Sequence, residues 1–468
     1  MATVRVFNHH VHASFYWLAL VDMLAFILAF YAGTYLYFFY EPGSFYNQLP
    51  QIPARATLFA AVTVISLYAM GLYEPRMREG ASGVLLRTVG GFVAATMVMS
   101  VIFYALPELH LWRGIYFYTV LVALSSSLVS RSVFHNLTKL EQLKSRVLVY
   151  GAGQAASTIT SAMRRQADRQ GFTIVGFVRT GGEDSSVGDE RVINLRGSLA
   201  EYTRQAHIDQ VVVALDDKRD LLEMDELFRC RMQGVKVVDL VTFFEQEAGK
   251  ILVDFTTPGW MAFNEGFKCS AASKSAKRWF DIGASALLLL VSWPVMLLAT
   301  LAIWLEDGFS APIFFYQERV GLHGRRFKVI KFRSMSVDAE GDGKARWATK
   351  NDSQVTRVGA FIRKTRIDEL PQIFNVLAGN MTLVGPRPER PEFVKELAEG
   401  IPYYNVRHCV KPGITGWAQL SYPYGASKND ARQKLQFDLY YVKNHSLFLD
   451  FTIFLNTVEV VLFGKGAR

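Results

Sequence analysis

Cysteine is scarce in this chain: its 468 residues hold three, Cys230, Cys269 and Cys409, with no Cys-x-x-Cys pair. Neither a structural zinc nor a disulfide framework has support from so few, and a reducing compartment is the simpler setting. Charge is thin too, at 20% of residues against 50% apolar, where soluble domains average roughly 25% and 45–50%. That balance excludes disorder, collagen and a small disulfide scaffold. The shortage is uneven, and its location argues against a soluble single domain. A length of 468 residues suits roughly three domains of about 150 residues.

The first third holds four long apolar runs, at about 14–40, 56–73, 88–106 and 114–130. Each approaches the roughly 17–25 residues a helix needs to cross a bilayer. The first is too long and aromatic for a signal peptide, and no small-residue cleavage site follows it. Asp22 is its one charge; an acid at that depth is a functional candidate by default or a hydrogen-bonding partner within the bundle. Arg76, Arg78 and Arg87 lie between the second and third runs, and Arg131, Lys139, Lys144 and Arg146 follow the fourth. The opposite side shows Arg55 and Arg113. The positive-inside rule then predicts a four-helix module over 1–140 with both ends cytoplasmic.

A fifth run, 279–305, carries one charge, Asp281, and holds Ser292 and Pro294 near its middle. Basic residues flank both ends: Lys274, Lys277 and Arg278 before it, Arg319, Arg325 and Arg326 after it. A straight crossing would put one basic cluster on the wrong side. Proline kinks a helix, so the expectation is a re-entrant membrane helix broken at Ser292 and Pro294. The alternative is a fifth span with a proline kink.

Between them, over 141–265, the pattern turns to alternating strands and helices: Arg146–Tyr150, Phe172–Val178, Gln210–Leu215 and Val235–Leu240. This predicts a Rossmann-like parallel-sheet domain. Gly151-Ala-Gly153-Gln-Ala-Ala156 matches the turn through which pyrophosphate approaches a helix N-terminus. The ribose-binding acid should follow about 20 residues on, where the chain has Val178-Arg179-Thr180 instead. An empty or altered nucleotide site is the favoured reading.

The net charge of +9 is concentrated near the end. Between Arg319 and Lys411 there are 18 Lys/Arg and 10 Asp/Glu, a local net of +8. Within this stretch, Pro371 and Gly379 frame a short helix preceded by Asp368-Glu369. Acids in a first turn can be mere caps. Here three cations, Arg363, Lys364 and Arg366, lie within five residues of the pair. Carboxylates attack phosphorus in phosphoryl transfer, cations stabilise the transferring group, and a second carboxylate can hold Mg²⁺. The stretch has no nucleic-acid motif and adjoins a membrane segment, so a diphosphate substrate and an anionic phospholipid membrane are the expected partners.

From about Lys277 onward the chain resembles the bacterial sugar transferases, the monotopic polyprenyl-phosphate phosphoglycosyl transferases. The resemblance rests on Lys277-Arg-Trp-Phe-Asp281, Gln317-Glu-Arg-Val-Gly321, Lys331-Phe-Arg333-Ser-Met335 and Ile367-Asp-Glu-Leu-Pro371. It continues through Asn375-Val-Leu, Leu383-Val-Gly-Pro-Arg387-Pro388 and the KPGITGWAQ run from Lys411. It implies transfer of a hexose-1-phosphate from a UDP-sugar to polyprenyl (undecaprenyl) phosphate, releasing UMP through a covalent aspartyl-phosphosugar. Carried over, Asp368 is the nucleophile and Glu369 the Mg²⁺ ligand. Lys331, Arg333, Arg363, Arg387 and Lys411 fall in motifs rich in phosphate-binding cations. Family members commonly place Ser-Leu before the Asp-Glu pair and Gly-Pro after the membrane helix. Here Arg366-Ile367 and Ala311-Pro312 stand there.

The resemblance also implies a multi-pass protein of the bacterial inner membrane, with its catalytic domain facing the cytoplasm, that initiates exopolysaccharide, capsule or O-antigen assembly. The expected architecture is a membrane α-helical module plus α/β: four transmembrane helices, the Rossmann-like domain, then a mixed α/β catalytic domain over 266–468 on the re-entrant helix. The donor sugar and a homodimer stay open. The main rival is a membrane-anchored NAD-dependent nucleotide-sugar dehydratase or epimerase, to which Tyr424-Gly-Ala-Ser-Lys428 supplies a Tyr-x-x-x-Lys match. That pair lies 271 residues beyond Gly153 and past an apolar helix, too remote to sit beside a nicotinamide in the same Rossmann unit. A third class is a non-catalytic export scaffold.

Overall fold

The computed structural model describes residues 3–6, 9–39, 52–73, 81–109, 111–138, 144–163, 171–180, 186–188, 191–195, 197–216, 224–267, 270–308, 311–336, 354–422, 425 and 427–462. Tyr424, Arg76, Arg78 and Lys139 lie outside them. The chain divides into two compact units at Ala248/Gly249.

The first unit opens with four helices long and apolar enough to cross a membrane: α1 (Ala13–Tyr37), α2 (Ile52–Ala69), α3 (Ala81–Ala105) and α4 (Arg113–Thr138). Phe26, Phe30 and Phe59 are fully buried among them, whereas Leu28, Met97, Val101 and Phe117 face outward, as a lipid-facing surface requires. Asp22 is fully buried and serves the bundle: its carboxylate accepts from Tyr73 Oη at 2.7 Å, Ser130 Oγ at 2.7 Å and Arg131 Nη1 at 3.0 Å. Removing one partner of such a buried pair costs about 3–5 kcal/mol, so this acid has a structural role. Arg87 and Arg131, which the sequence reading counted as flanking charges, are buried on α3 and α4, and Arg87 Nη1 donates to Met70 O.

The same unit contains a five-stranded parallel sheet of β1 (Ser145–Tyr150), β2 (Phe172–Val178), β3 (Val192–Ile193), β4 (Gln210–Val213) and β5 (Lys236–Asp239). The strand order is β3-β2-β1-β4-β5. Val147, Leu148, Val149, Val211 and Val212 are fully buried, the near-continuous apolar run expected of central parallel strands. After β1 comes α5 (Gln154–Ala162). The strand order reverses between β1 and β4, where open α/β sheets receive ligands.

The second unit carries α6 (Ala271–Asp307), the hairpin β6 (Phe314–Val320) and β7 (Arg326–Phe332), then α7 (Arg357–Lys364) and α8 (Gln372–Leu377). A parallel pair, β8 (Thr382–Val384) and β9 (Gly413–Thr415), and two helices, α9 (Lys428–Asn444) and α10 (Leu447–Leu462), complete it. The sequence pattern predicts the preceding boundary at 265/266. Residues 249–265 instead pack with the second unit, because Ile251 N–H donates to Gln436 O and Trp417 Nε1 donates to Gly249 O.

α6 runs as one helix through Ser292 and Pro294, so the structure shows no helix break at the two residues where one was expected. Both ends are bound to the second unit. Near its start Lys277 pairs with Asp450 at 2.6 Å, Arg278 donates to Val376 O and Leu377 O, and the buried Asp281 accepts from Thr382 Oγ1 and Leu383 N. Near its end Met296, Ala299 and Ile303 pack with Phe332 and Ile362, and Glu306 accepts from Arg357 N and Val358 N at the start of α7. Between these anchors Leu287, Leu290, Val291, Trp293 and Leu298 stay exposed, a membrane-facing composition.

Candidate active site

The site is built where α7 turns into α8. Thr356 caps α7, its Oγ1 accepting from Gly359 N at 2.9 Å, and Glu306 adds a carboxylate to the same end. Gly359 is required there, since a Cβ would lie 2.0 Å from Ser334 O. After α7 the backbone reverses at Arg366, whose φ of +61° is left-handed. A 3₁₀ turn, Ile367–Glu369, follows and Pro371 leads into α8. The two acids therefore precede the α-helix by a turn instead of lying in its first turn. Asn375 fixes α8 to β7: its Nδ2 donates to Lys328 O and its Oδ1 accepts from Ile330 N.

Glu369 is the centre of a cation cage. Arg387 Nη2 lies 2.6 Å from its Oε1, and Lys331 Nζ and Arg366 Nη1 each lie 3.6 Å away. Burial pushes its carboxyl up, but Arg387, Lys331 and Arg366 together hold it well below the usual range. Asp368 beside it is buried, and its Oδ1 has no hydrogen-bond partner among the described residues. Burial, then the Glu369 charge, raise the Asp368 carboxyl above its ordinary value against the pull of Lys331 and Arg387. One carboxylate is thus saturated while its neighbour keeps an oxygen in reserve, an arrangement that suits attack on an electrophile held by the same cations.

The turn bearing Arg387 is itself braced. Buried Arg407 donates to Arg387 O at 2.8 Å and to Tyr404 Oη at 2.8 Å, and pairs with Asp438 at 2.8 Å. Arg319, at the end of β6, donates to Pro388 O and pairs with Glu389 at 3.8 Å. Burial lowers its guanidinium to about 10 despite Glu389, with Arg387 and Arg390 adding to the shift.

Of the seven site residues expected from sequence, four meet here: Asp368, Glu369, Lys331 and Arg387. Arg333 is buried at the end of β7, its N–H donating to Ile313 O. Arg363 is half-buried on the last turn of α7, outside the ion pairs to Glu369. Lys411 belongs to a different group. A Cβ on Gly379 would lie 3.9 Å from its Nζ and 3.7 Å from Arg278 Nη2. It therefore sits beside Arg278 at the foot of α6, and burial, then the Arg278 charge, lowers its ammonium. Sequence reasoning gives neither Arg319 nor Arg407 a site role. The first lies in the Gln317–Gly321 motif, whereas a buried arginine 38 residues past Glu369 sends no local signal.

Among the described residues, no three His, Cys, Asp or Glu side chains gather as a metal cluster. Mg²⁺ needs no such cluster, because it is commonly held by one or two carboxylates plus substrate phosphate oxygens. Glu369 offers such a carboxylate, held in this structure by the side chains of Lys331, Arg366 and Arg387, which leaves the unpartnered Asp368 oxygen to the attack.

Comparison with known proteins places the chain among named relatives. A family model described as bacterial sugar transferase matches residues 272–464, and one described as a CoA-binding domain matches 68–224. The chain is 41% identical over 262 residues to a UDP-N-acetylgalactosamine-undecaprenyl-phosphate N-acetylgalactosaminephosphotransferase of Aeromonas hydrophila, covering 56% of this chain and 60% of that one. It is 32% identical over 371 residues to a UDP-glucose:undecaprenyl-phosphate glucose-1-phosphate transferase of Xanthomonas campestris pv. campestris, covering 76% and 75%. A protein of the same description from Escherichia coli K12 is 34% identical over 336 residues, 69% of each chain. With that family model over its second unit and relatives of this identity and coverage, the chain belongs to the bacterial sugar transferase family.

Proposed function

We propose that this protein transfers a sugar-1-phosphate from a UDP-sugar to undecaprenyl phosphate. The carrying observation is the buried Asp368 with one unpartnered oxygen, set beside a carboxylate caged by Lys331, Arg366 and Arg387. The relatives act, by their descriptions, on undecaprenyl phosphate with different sugars, so the donor is left to experiment.

In the first step Asp368 attacks the sugar-bearing phosphorus of the donor. A carboxylate O–P bond forms, the bond to UMP breaks, and UMP leaves with the electron pair. In the second step an oxygen of undecaprenyl phosphate attacks the same phosphorus. Asp368 departs as a carboxylate, leaving undecaprenyl-diphosphate-sugar. Lys331, Arg366 and Arg387 hold the diphosphate and stabilise charge on the leaving group. Mg²⁺, held by Glu369 with substrate phosphate oxygens, would neutralise further phosphate charge.

The exposed apolar middle of α6, between two ends bound to one unit, supports a re-entrant path that leaves the site at a cytoplasmic surface of the inner membrane. Cysteines placed at 274 and 307 test this, with labelling from one side of sealed vesicles expected at both. The reaction is tested with Mg²⁺, undecaprenyl phosphate and a panel of UDP-hexoses and UDP-N-acetylhexosamines. UMP release with one donor, together with a protein mass increase equal to that sugar phosphate, supports the proposal. UDP release would refute it, and NAD-dependent conversion of the nucleotide sugar would favour the dehydratase alternative.

A further inference from the structure

The glycine turn of the middle domain has the outline of a nucleotide site, and the structure shows what fills it. Asp216 follows β4, the strand beside β1, and therefore enters the crevice where the strand order reverses. Its two carboxylate oxygens accept from two successive N–H groups at the start of α5: Oδ2 from Gln154 N at 2.7 Å and Oδ1 from Ala155 N at 2.6 Å. Those are the donors a pyrophosphate would use. Gly153 lets the carboxylate in, since a Cβ there would lie 2.1 Å from Asp216 Oδ2. Gly151, at φ +123°, would carry a Cβ 2.3 Å from Ala214 O, so the two strand ends are already closed on each other. Ser186 N–H donates to Ala152 O, bringing a further segment over the turn.

We infer that Asp216 is the built-in anion of this turn, and that the middle domain takes no dinucleotide or coenzyme A pyrophosphate there. The carboxylate supplies the negative charge that the helix N-terminus favours, and its two bonds use the geometry and charge an incoming phosphate would need. A phosphate would have to displace a tethered group, and would bring its own charge against it. The glycines remain because the carboxylate needs the same close approach that a pyrophosphate does. The fold is then that of a nucleotide binder, while the turn serves as an internal tie between β4 and α5.

The test is hydrogen–deuterium exchange on the full chain in lipid nanodiscs, read on peptides covering 146–162. Coenzyme A, NAD and inorganic pyrophosphate are each added at millimolar concentration to the wild-type protein. No change in exchange at residues 151–155 is expected, and protection by any of the three overturns the inference. Independently, Asp216→Ala should speed exchange at Gln154 and Ala155 about tenfold, the scale of a lost charged helix cap. Asp216→Asn, which keeps one acceptor in nearly the same shape, should give a smaller increase and guards against an Ala variant that fails to fold. Wild-type exchange at those amides in a folded Asp216 variant would overturn the inference as well.

Discussion

Two turns in this molecule set carboxylates against positive charge, and they do so in opposite ways. At the start of α5 the Asp216 carboxylate is satisfied by backbone N–H groups 2.6–2.7 Å away, on both oxygens. At the 3₁₀ turn before α8, Glu369 is satisfied by side-chain cations, and Asp368 retains an oxygen without a partner. Backbone donors cannot leave without unwinding the helix. Side-chain cations can swing toward an arriving diphosphate. A carboxylate held by backbone closes a site, whereas one held by movable cations prepares one.

The largest effect that would separate the two is expected at Asp368. Asp368→Asn should lower UMP release by roughly 10³-fold or more, as for loss of a nucleophile, and abolish the sugar-phosphate mass increase. An active Asn variant would place the nucleophile elsewhere. Arg387→Ala should cost about 10²–10³ in kcat, with Lys331→Ala next, because each empties part of the cage around Glu369. A change in KM alone would reduce those cations to uniform binding.

Acidity gives a subtler contrast. The proposed nucleophile Asp368 would react in its ionised form, and burial raises its carboxyl above the ordinary value, so activity should fall with decreasing pH before an exposed aspartate would protonate. Glu369 is shifted the other way and stays ionised through that fall. A kcat/KM profile over roughly pH 4–8 should therefore show a single-proton acid limb; a limb at the position of a free aspartate would contradict the burial argument. Asp216→Ala should lower stability by about 1–2 kcal/mol, seen as a lower Tm, while UMP release is retained. Lys411→Ala should have the smallest effect, a change of no more than about tenfold, since Lys411 stands with Arg278 and apart from Glu369.

Much of this was legible from local pattern. Four apolar runs became helices, and β-rich bursts such as Arg146–Tyr150 became central strands. Asp368, Glu369, Lys331 and Arg387 were named from the family motifs the sequence resembles, and the structure brings the four side chains together. What escaped depends on register between distant strands. Asp216 reaches Gln154 across 62 residues because β4 pairs with β1, and no spacing rule reports that. Lys411 was grouped with the phosphate-binding cations by motif, yet the β8–β9 pairing delivers it to the foot of α6. Arg407 works from behind, through the backbone oxygen of Arg387, a contact that a list of charges cannot contain.

Glu306 gives the membrane helix a second consequence. The last turn of α6 caps α7, and α7 leads within a few residues to Asp368. On the proposed membrane path, Ile367 and Leu370 on either side of the acid pair pack in one cluster with Met296, Ala299 and Ile303 of α6, which ties the membrane helix directly to the Asp368 turn. A lipid phosphate at the head-group level could then meet it without lifting its acyl chain out of the bilayer.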